Sequence, residues 1–322
     1  MKELIQEASA WSSKILGKET TSIEKLRKEA SIRDYYRVIS GDQSFVLMDN
    51  FDDLEGATKF LYIGKLFREN NLPVPEVMAF SEDLKYLLLE DLGNEVLDQT
   101  NILSDEAILT KSICHIANIQ NLPLDVLQSF SKESLVHQTF GFRNVFQYKG
   151  IVLTSKEEKT ISNLRYFLVQ MLMNQPFVPL HNDFERRNLI LNKEEIYIID
   201  FQDCCVGPMG IDLASILYEH DRNYDEELIL SQIRSFLSKK SSNMKENKVL
   251  EYIFVALAHR SIRIVSTFVS YFLEGKLLNR KKDLEKFIIR IIFSLNKLNR
   301  TEEAQIIKKP VSYTHLRAHE TS

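Results

Sequence analysis

At 322 residues, with 44% hydrophobic and 27% charged content, the chain can bury a substantial core in two lobes or domains. Its net charge of −4 excludes the broad basic footprint that a nucleic-acid partner requires. Cys114, Cys204 and Cys205 show neither metal-ligand spacing nor a disulfide framework. The charged, amphipathic start MKELIQEASAW does not read as a signal peptide. No uninterrupted apolar run approaches the ~20 residues that span a bilayer. The expectation is a reducing, cytoplasmic setting with no membrane partner.

Residues 1–30 read as helical, with Leu4, Ile5, Ala8 and Trp11 spaced for one face. The segment Ala30–Val38, a turn at Ser40-Gly41-Asp42 and a strand from Phe45 to Met48 predict a hairpin. It is no phosphate-cradling glycine loop, because Gly-x-Gly-x-x-Gly is absent. Residues 53–70 predict a helix burying Leu54, Ala57, Phe60, Leu61 and Phe67. Its Glu55 reads either as partner to a phosphate-binding cation or as a solvated first-turn acid. Asn71-Leu72-Pro73-Val74-Pro75 breaks that helix ahead of strands at 76–80 and 86–90, and the lobe boundary is placed at residue 92.

The second lobe, 93–309, reads as mainly helical, with helices at 103–122, 155–175, 212–217, 225–237, 248–274 and 283–298. His115 is taken as packed or solvated, and 124–150 is poorly patterned. In the 248–274 helix, His259, Arg260 and Arg263 interrupt an apolar face. The arginines there either bind an acidic substrate or solvate the helix, since a buried cation needs an anion. The tail from Pro310 to Ser322 lacks amphipathic periodicity and reads as a non-native addition whose histidines have no role.

The most informative stretch is 178–214, VPLHNDFERRNLILNKEEIYIIDFQDCCVGPMGIDLA. Apolar runs Leu189–Leu191 and Ile196–Ile199 flank a polar turn and predict a β-hairpin. Pairing brings Asn188 and Asp200 to its open end, with Asp183 on the loop before. An amide and a carboxylate suit a hard divalent cation, and the remaining carboxylate can orient or deprotonate a nucleophile. That is the pattern of kinase-type phosphoryl transfer. The plainer reading is a surface hairpin flanked by capping aspartates.

His181-Asn182-Asp183 followed by Asn188 and Ile199-Asp200-Phe201 resembles the aminoglycoside phosphotransferase and choline kinase superfamily, with Asn182 in place of the usual glycine. The closer resemblance is to the bacterial N-acetylmuramate/N-acetylglucosamine anomeric kinases. It rests on Ala30-Ser31-Ile32-Arg33, Leu87-Leu88-Leu89-Glu90-Asp91-Leu92-Gly93, Asp200-Phe201-Gln202-Asp203 and Gly207-Pro208. The resemblance implies an α+β, two-lobed protein-kinase-like fold, with a β-rich nucleotide lobe and a helical acceptor lobe. It implies ATP and Mg²⁺ as cofactors, with Asn188 and Asp200 on the metal. Asp183 would be the base, and His181 would brace its loop. Asp212 would hold that loop through backbone hydrogen bonds, although an N-cap also explains it.

By the same likeness Ser31 and Arg33 lie over the phosphates, Arg37 sits on the second strand, and Glu90 and Leu92 flank the adenine. The strand Phe45–Asp49 lacks the superfamily's phosphate-binding lysine. Arg33 or Arg37 is the expected replacement, since a guanidinium grips phosphate oxygens in a fork. Gln202, Asp203, Arg260 and Arg263 are placed on the acceptor side. The anomeric kinases' acidic-leucine motif is not found in 130–150. The implied acceptor is the anomeric hydroxyl of an N-acetyl amino sugar. An aminoglycoside, a choline-like alcohol, another sugar and a nucleotide-binding pseudokinase stay open.

Overall fold

The computed structural model describes residues 2–26, 33–50 and 53–319. The chain forms two compact units, Met1–Leu103 with Arg186–Cys204, and Ser104–Glu185 with Cys205–Ser322.

The first unit opens with helix α1 (Lys2–Leu16) rather than one helix to residue 30. Gly17 stops it, in the left-handed region (φ +64°) that ends helices at little steric cost. The following Ser22–Lys25 becomes β1, paired with β2 (Asp34–Ser40). A two-residue turn at Gly41-Asp42 leads into β3 (Gln43–Asp49), in register Val38↔Phe45. Gly41 takes the positive φ that such tight hairpins require.

Helix α2 (Leu54–Glu69) is N-capped by Asp53, whose carboxylate accepts from Gly56 N–H. It buries Ala57, Phe60, Ile63 and Phe67. Leu54, expected inside, lies exposed on the first turn. Strands β4 (Val77–Phe80) and β5 (Tyr86–Glu90) complete an antiparallel sheet of order β1-β2-β3-β5-β4. Tyr36, Val38, Leu47 and Leu88 form its core face with Ala8, and Trp11 packs on Tyr86.

The chain continues into the second unit with α3 (Asp105–Ile119), capped by Ser104. The weakly patterned 124–150 holds two short helices, α4 (Lys132–Gln138) and α5 (Asn144–Tyr148). They are too short for periodicity to show, and α4 is set by a Ser131/Ser134 capping box. Helix α6 (Ser155–Met173) starts at a Thr154/Glu157 capping box and leads into β6 (Phe177–Leu180).

The chain then returns to the first unit for the hairpin β7 (Leu189–Asn192) and β8 (Glu195–Ile198). Back in the second unit, β9 (Cys205–Pro208) pairs with β6. Helices α7 (Gly210–Leu217), α8 (Glu226–Lys239), α9 (Glu246–Leu273), α10 (Lys281–Lys297) and α11 (Thr301–His319) follow.

Helix α9 is long and apolar enough to cross a membrane, but 72% of its apolar window is buried inside the protein, where it serves as the core. Helix α11 was not expected, and it runs through Pro310, so the anticipated tail boundary falls inside a helix. Pro310 is buried, Val311 half-buried, and Lys309 pairs with Glu157 of α6 at 2.5 Å.

Candidate active site

The first unit carries the β7–β8 hairpin. Leu189, Leu191, Ile196 and Ile198 are buried, and the turn places Lys193 at positive φ. Backbone bonds join the hairpin to the rest of this unit. Leu97 N–H donates to Leu189 O (2.9 Å), Leu191 N–H to Glu95 O (2.8 Å) and Ile198 N–H to Pro73 O (2.8 Å). Phe201 adds ring contacts with Phe60 and Phe67 at 4.6 and 5.5 Å. These contacts explain why 186–204 groups with the N-terminal residues and not with the helical lobe expected to hold it.

At the hairpin's open end Ile199 N–H donates to Asn188 O (3.0 Å), so Asn188 and Asp200 stand at the same end, as pairing predicts. Asp200 is left-handed (φ +61°), a conformation Asp tolerates better than most residues. It is exposed, while Asn188 is buried. One carboxylate and one amide fit Mg²⁺, which takes few protein oxygens and completes its octahedron with phosphates and water. No cluster of three or more His, Cys, Asp or Glu that could cage a metal occurs among the described residues. Gln202, expected on the acceptor side, is buried and donates Nε2 to Asp200 Oδ1 at 2.8 Å. It orients the proposed metal ligand. Asp203 is exposed.

The same unit holds the candidate nucleotide residues. Ser31 lies outside the described residues. Arg33 is buried, and its Nε and Nη2 donate to Asp53 Oδ2 at 2.9 and 2.6 Å. Burial alone would raise the Asp53 carboxyl. Arg33 and Gly56 N–H outweigh it and hold the group below its usual range. A Cβ on Gly56 would meet Asp53 Oδ2 at 2.0 Å and Arg33 Nη2 at 2.3 Å, so only glycine admits this pair.

Arg37 is committed elsewhere. Its Nε and Nη2 grip Asp91 at 2.7 and 3.0 Å, and Nη1 reaches Asn94 at 2.7 Å. Its fork is spent on the segment after β5, which corrects the expectation that it could replace the missing lysine. Glu90 ends β5 half-buried, accepting from Glu76 N–H (3.2 Å), and Leu92 is buried. Sequence reasoning missed Lys59. Glu55, one turn earlier on α2, takes its Nζ at 2.8 Å, and this bond comes first in raising the ammonium, with smaller contributions from Asp203 and Asp53. The Glu-x-x-x-Lys spacing carries that signal.

The second unit carries the loop after β6. Asp212 lies within α7, past the N-cap position, so the capping alternative falls away. Its carboxylate is fully buried and accepts from His181 N–H (2.7 Å) and Asn182 N–H (2.9 Å). Burial pushes its pKa up to about 6, against the pull of His181 and the two N–H groups. Asn182 sits at φ +72°, which explains why asparagine can stand where glycine is usual. His181 is buried, its ring edge-on to Phe184 at 5.6 Å.

Arg260 of α9 is buried and donates Nη2 to Asp183 Oδ1 at 2.7 Å and to Glu185 Oε1. Its Nη2 therefore engages carboxylates of its own chain, and its burial rules out the solvating role, one of the two readings of the arginines on this helix. Arg263, a turn further, is half-buried. His259 is buried, with its Nε2 bonded to Leu135 O at 2.9 Å, and burial lowers its pKa to about 4, so it is a neutral core histidine.

Residues 22–246 match the phosphotransferase enzyme family. The chain belongs to that family. It is 30% identical over 220 residues to an N-acetylmuramate/N-acetylglucosamine kinase of Neisseria meningitidis, covering 66% of this chain and 65% of the relative. A Pseudomonas putida protein of the same name is 28% identical over 199 residues, covering 61% and 59%. The chain thus spans less than two thirds of the length of these relatives.

Among solved structures, choline kinase LicA from Streptococcus pneumoniae superposes with a TM-score of 0.61 at 15% identity, covering 93% of this chain and 99% of that one. Spectinomycin phosphotransferase, solved with ADP and its antibiotic, gives 0.60 at 14% identity, covering 92% and 98%. The fold of this family member is therefore the α+β, kinase-like one expected from the sequence.

Proposed function

We propose that this protein is an ATP- and Mg²⁺-dependent kinase of a small molecule's hydroxyl group. The observation that carries the reading is the His181-Asn182-Asp183 loop, held from within its own unit by the buried Asp212 carboxylate. Five residues after Asp183 stands Asn188, on the hairpin that ends in Asp200.

Asp183 orients the acceptor hydroxyl and takes its proton as the oxygen bonds to the γ-phosphorus and the bond to the ADP oxygen breaks. Asn188 and Asp200 would hold Mg²⁺, with Gln202 fixing the Asp200 carboxylate, and the ion would supply charge neutralisation during phosphoryl transfer. Backbone groups at Glu90 and Leu92 receive the adenine. Arg33 is committed to Asp53 as Arg37 is to Asp91, so Lys59, 43% exposed and paired with the exposed Glu55, is the first-unit cation offered to the phosphates in place of the absent strand lysine. Such chemistry belongs where ATP is plentiful, in the cytoplasm.

The acceptor is proposed to be the anomeric hydroxyl of an N-acetyl amino sugar, N-acetylmuramate or N-acetylglucosamine. The names of the relatives from Neisseria and Pseudomonas support this substrate. A hemiacetal hydroxyl is also more acidic than an ordinary alcohol and asks less of Asp183. Phosphorus NMR of the product from each sugar tests the assignment. A sugar 1-phosphate is expected, and a 6-phosphate, or turnover only with choline or aminoglycosides, refutes it. Asp183→Asn is expected to cut turnover by ~10²–10⁴-fold, the usual worth of general-base assistance, with nucleotide affinity retained. A variant that keeps a sizeable fraction of turnover refutes the assignment of Asp183 as base.

A further inference from the structure

We propose that Arg260 is a positioning residue for Asp183, and that Glu185 holds Arg260 to that task. The proposal rests on the phosphotransferase reading of Asp183. All three side chains belong to the second unit. Arg260 stands in the middle of α9, the most apolar long helix, and its side chain is 8% exposed. One nitrogen, Nη2, serves both Asp183 Oδ1 at 2.7 Å and Glu185 Oε1. The two carboxylates reach it together because Glu185 N–H donates to Asp183 O at 3.0 Å, which turns the loop tightly.

Burial within the triad is uneven. Glu185 and Arg260 are 9% and 8% exposed, whereas Asp183 is 29% exposed. The two buried members thus form a base, and Asp183 is the more exposed member, with Arg260 on its Oδ1. A planar guanidinium fixes direction as well as charge. Holding Oδ1 restricts rotation of the carboxyl, so its orientation toward an acceptor is set before the acceptor arrives. Stability alone gives little reason for the arrangement, because a buried ion triad is often no better than apolar packing of the same volume.

Arg260→Met alone would strand two carboxylates near each other and risks unfolding. The test therefore compares Glu185→Gln, the double variant Arg260→Met/Glu185→Gln and Arg260→Lys in the full chain, against wild type. The double variant removes one charge of each sign, so the net charge of the cluster is unchanged. It is expected to fold and to keep its KM for ATP within about threefold, with kcat down by ~10²-fold, the scale of a 1 Å misplacement.

Glu185→Gln, which retains the Arg260–Asp183 bond, is expected to lose much less. Arg260→Lys is expected to restore part of kcat relative to the double variant, since it supplies a charge without the planar guanidinium that fixes its direction. A double variant with wild-type kcat overturns the proposal. So does a kcat loss that tracks lost folding or lost ATP affinity, or that lysine leaves unrelieved. A wild-type protein that shows no acceptor-dependent ADP release overturns the kinase reading itself, and this proposal with it.

Discussion

Replacing Asp212 by asparagine should separate the stability of the second unit from the geometry of its loop. The buried carboxylate has a pKa of about 6 against 3.8 for an ordinary aspartate, with burial the first cause. A shift of about two units at ~1.4 kcal/mol each is worth about 3 kcal/mol. Because the folded pKa is raised, the native state binds the proton more tightly than the unfolded chain. The associated stability is fully present below pH 3.8 and is lost as pH rises through about 6.

Above that pH the buried anion is a standing cost, which asparagine removes. That figure already contains the pull of the His181 and Asn182 N–H groups, and what opposes it is that asparagine faces one of those N–H groups with its own amide, leaving a buried donor unsatisfied at a cost of about 1–3 kcal/mol. The two effects nearly cancel at pH 8, so the melting temperature should move by less than about 8 °C. Turnover should still fall by ~10²-fold, because the loop carrying Asp183 loses one of its two anchors. Between pH 5 and 8 the variant should gain about 1–2 kcal/mol on wild type. Thermal melts at both pH values, together with kcat at pH 8, measure all three quantities. Unchanged kcat, or parallel pH profiles for the two proteins, would refute the reasoning.

Asp200→Ala should abolish Mg²⁺-dependent nucleotide binding and Asn188→Ala weaken it more mildly, because a carboxylate contributes more to cation affinity than an amide. Mg²⁺ titration at fixed ATP gives the ranking, and a wild-type response from Asp200→Ala would count against the hairpin as metal site. Arg37→Gln should loosen the Asp91–Asn94 segment after β5 and raise the KM for ATP, leaving that for the acceptor unchanged. A loss confined to the acceptor would show that Arg37 acts elsewhere. Truncation after Val311 should leave the melting temperature within about 2–4 °C, the equivalent of ~1 kcal/mol. Truncation before Ala304 should lower it further, because Ala304, Ile306 and Ile307 are buried. Equal melts for the two truncations would show that α11 contributes nothing.

The hairpin at 189–198 was legible because its apolar runs and polar turn are local, and a two-strand register follows from them. Asn182 was visible as a departure from glycine, and the left-handed backbone there accounts for it. Helix α9 was legible from its apolar period, and so was the oddity of arginines on it. What escaped was short or weakly periodic: β1, α4, α5 and α11, each set by caps, breaks or packing more than by pattern. The boundary at residue 92 separated the Asn188–Asp200 hairpin from the sheet unit it joins, because backbone bonds such as Ile198 to Pro73 link segments far apart in sequence.

The sequence by itself determined the residues proposed for the chemistry: a carboxylate, an amide and a second carboxylate at kinase spacing, on a chain whose strand lacks the usual lysine. Residue type and short-range spacing are enough for that, since both are written along one segment. Only the tertiary structure decided where the cations go. Arg37, Arg33 and Arg260 look alike in the sequence, yet each meets its acid across 20 to 77 residues of chain, at Asp91, Asp53 and Asp183. A charge carries no record of its partner. Burial and packing choose it, and they are properties of the folded chain.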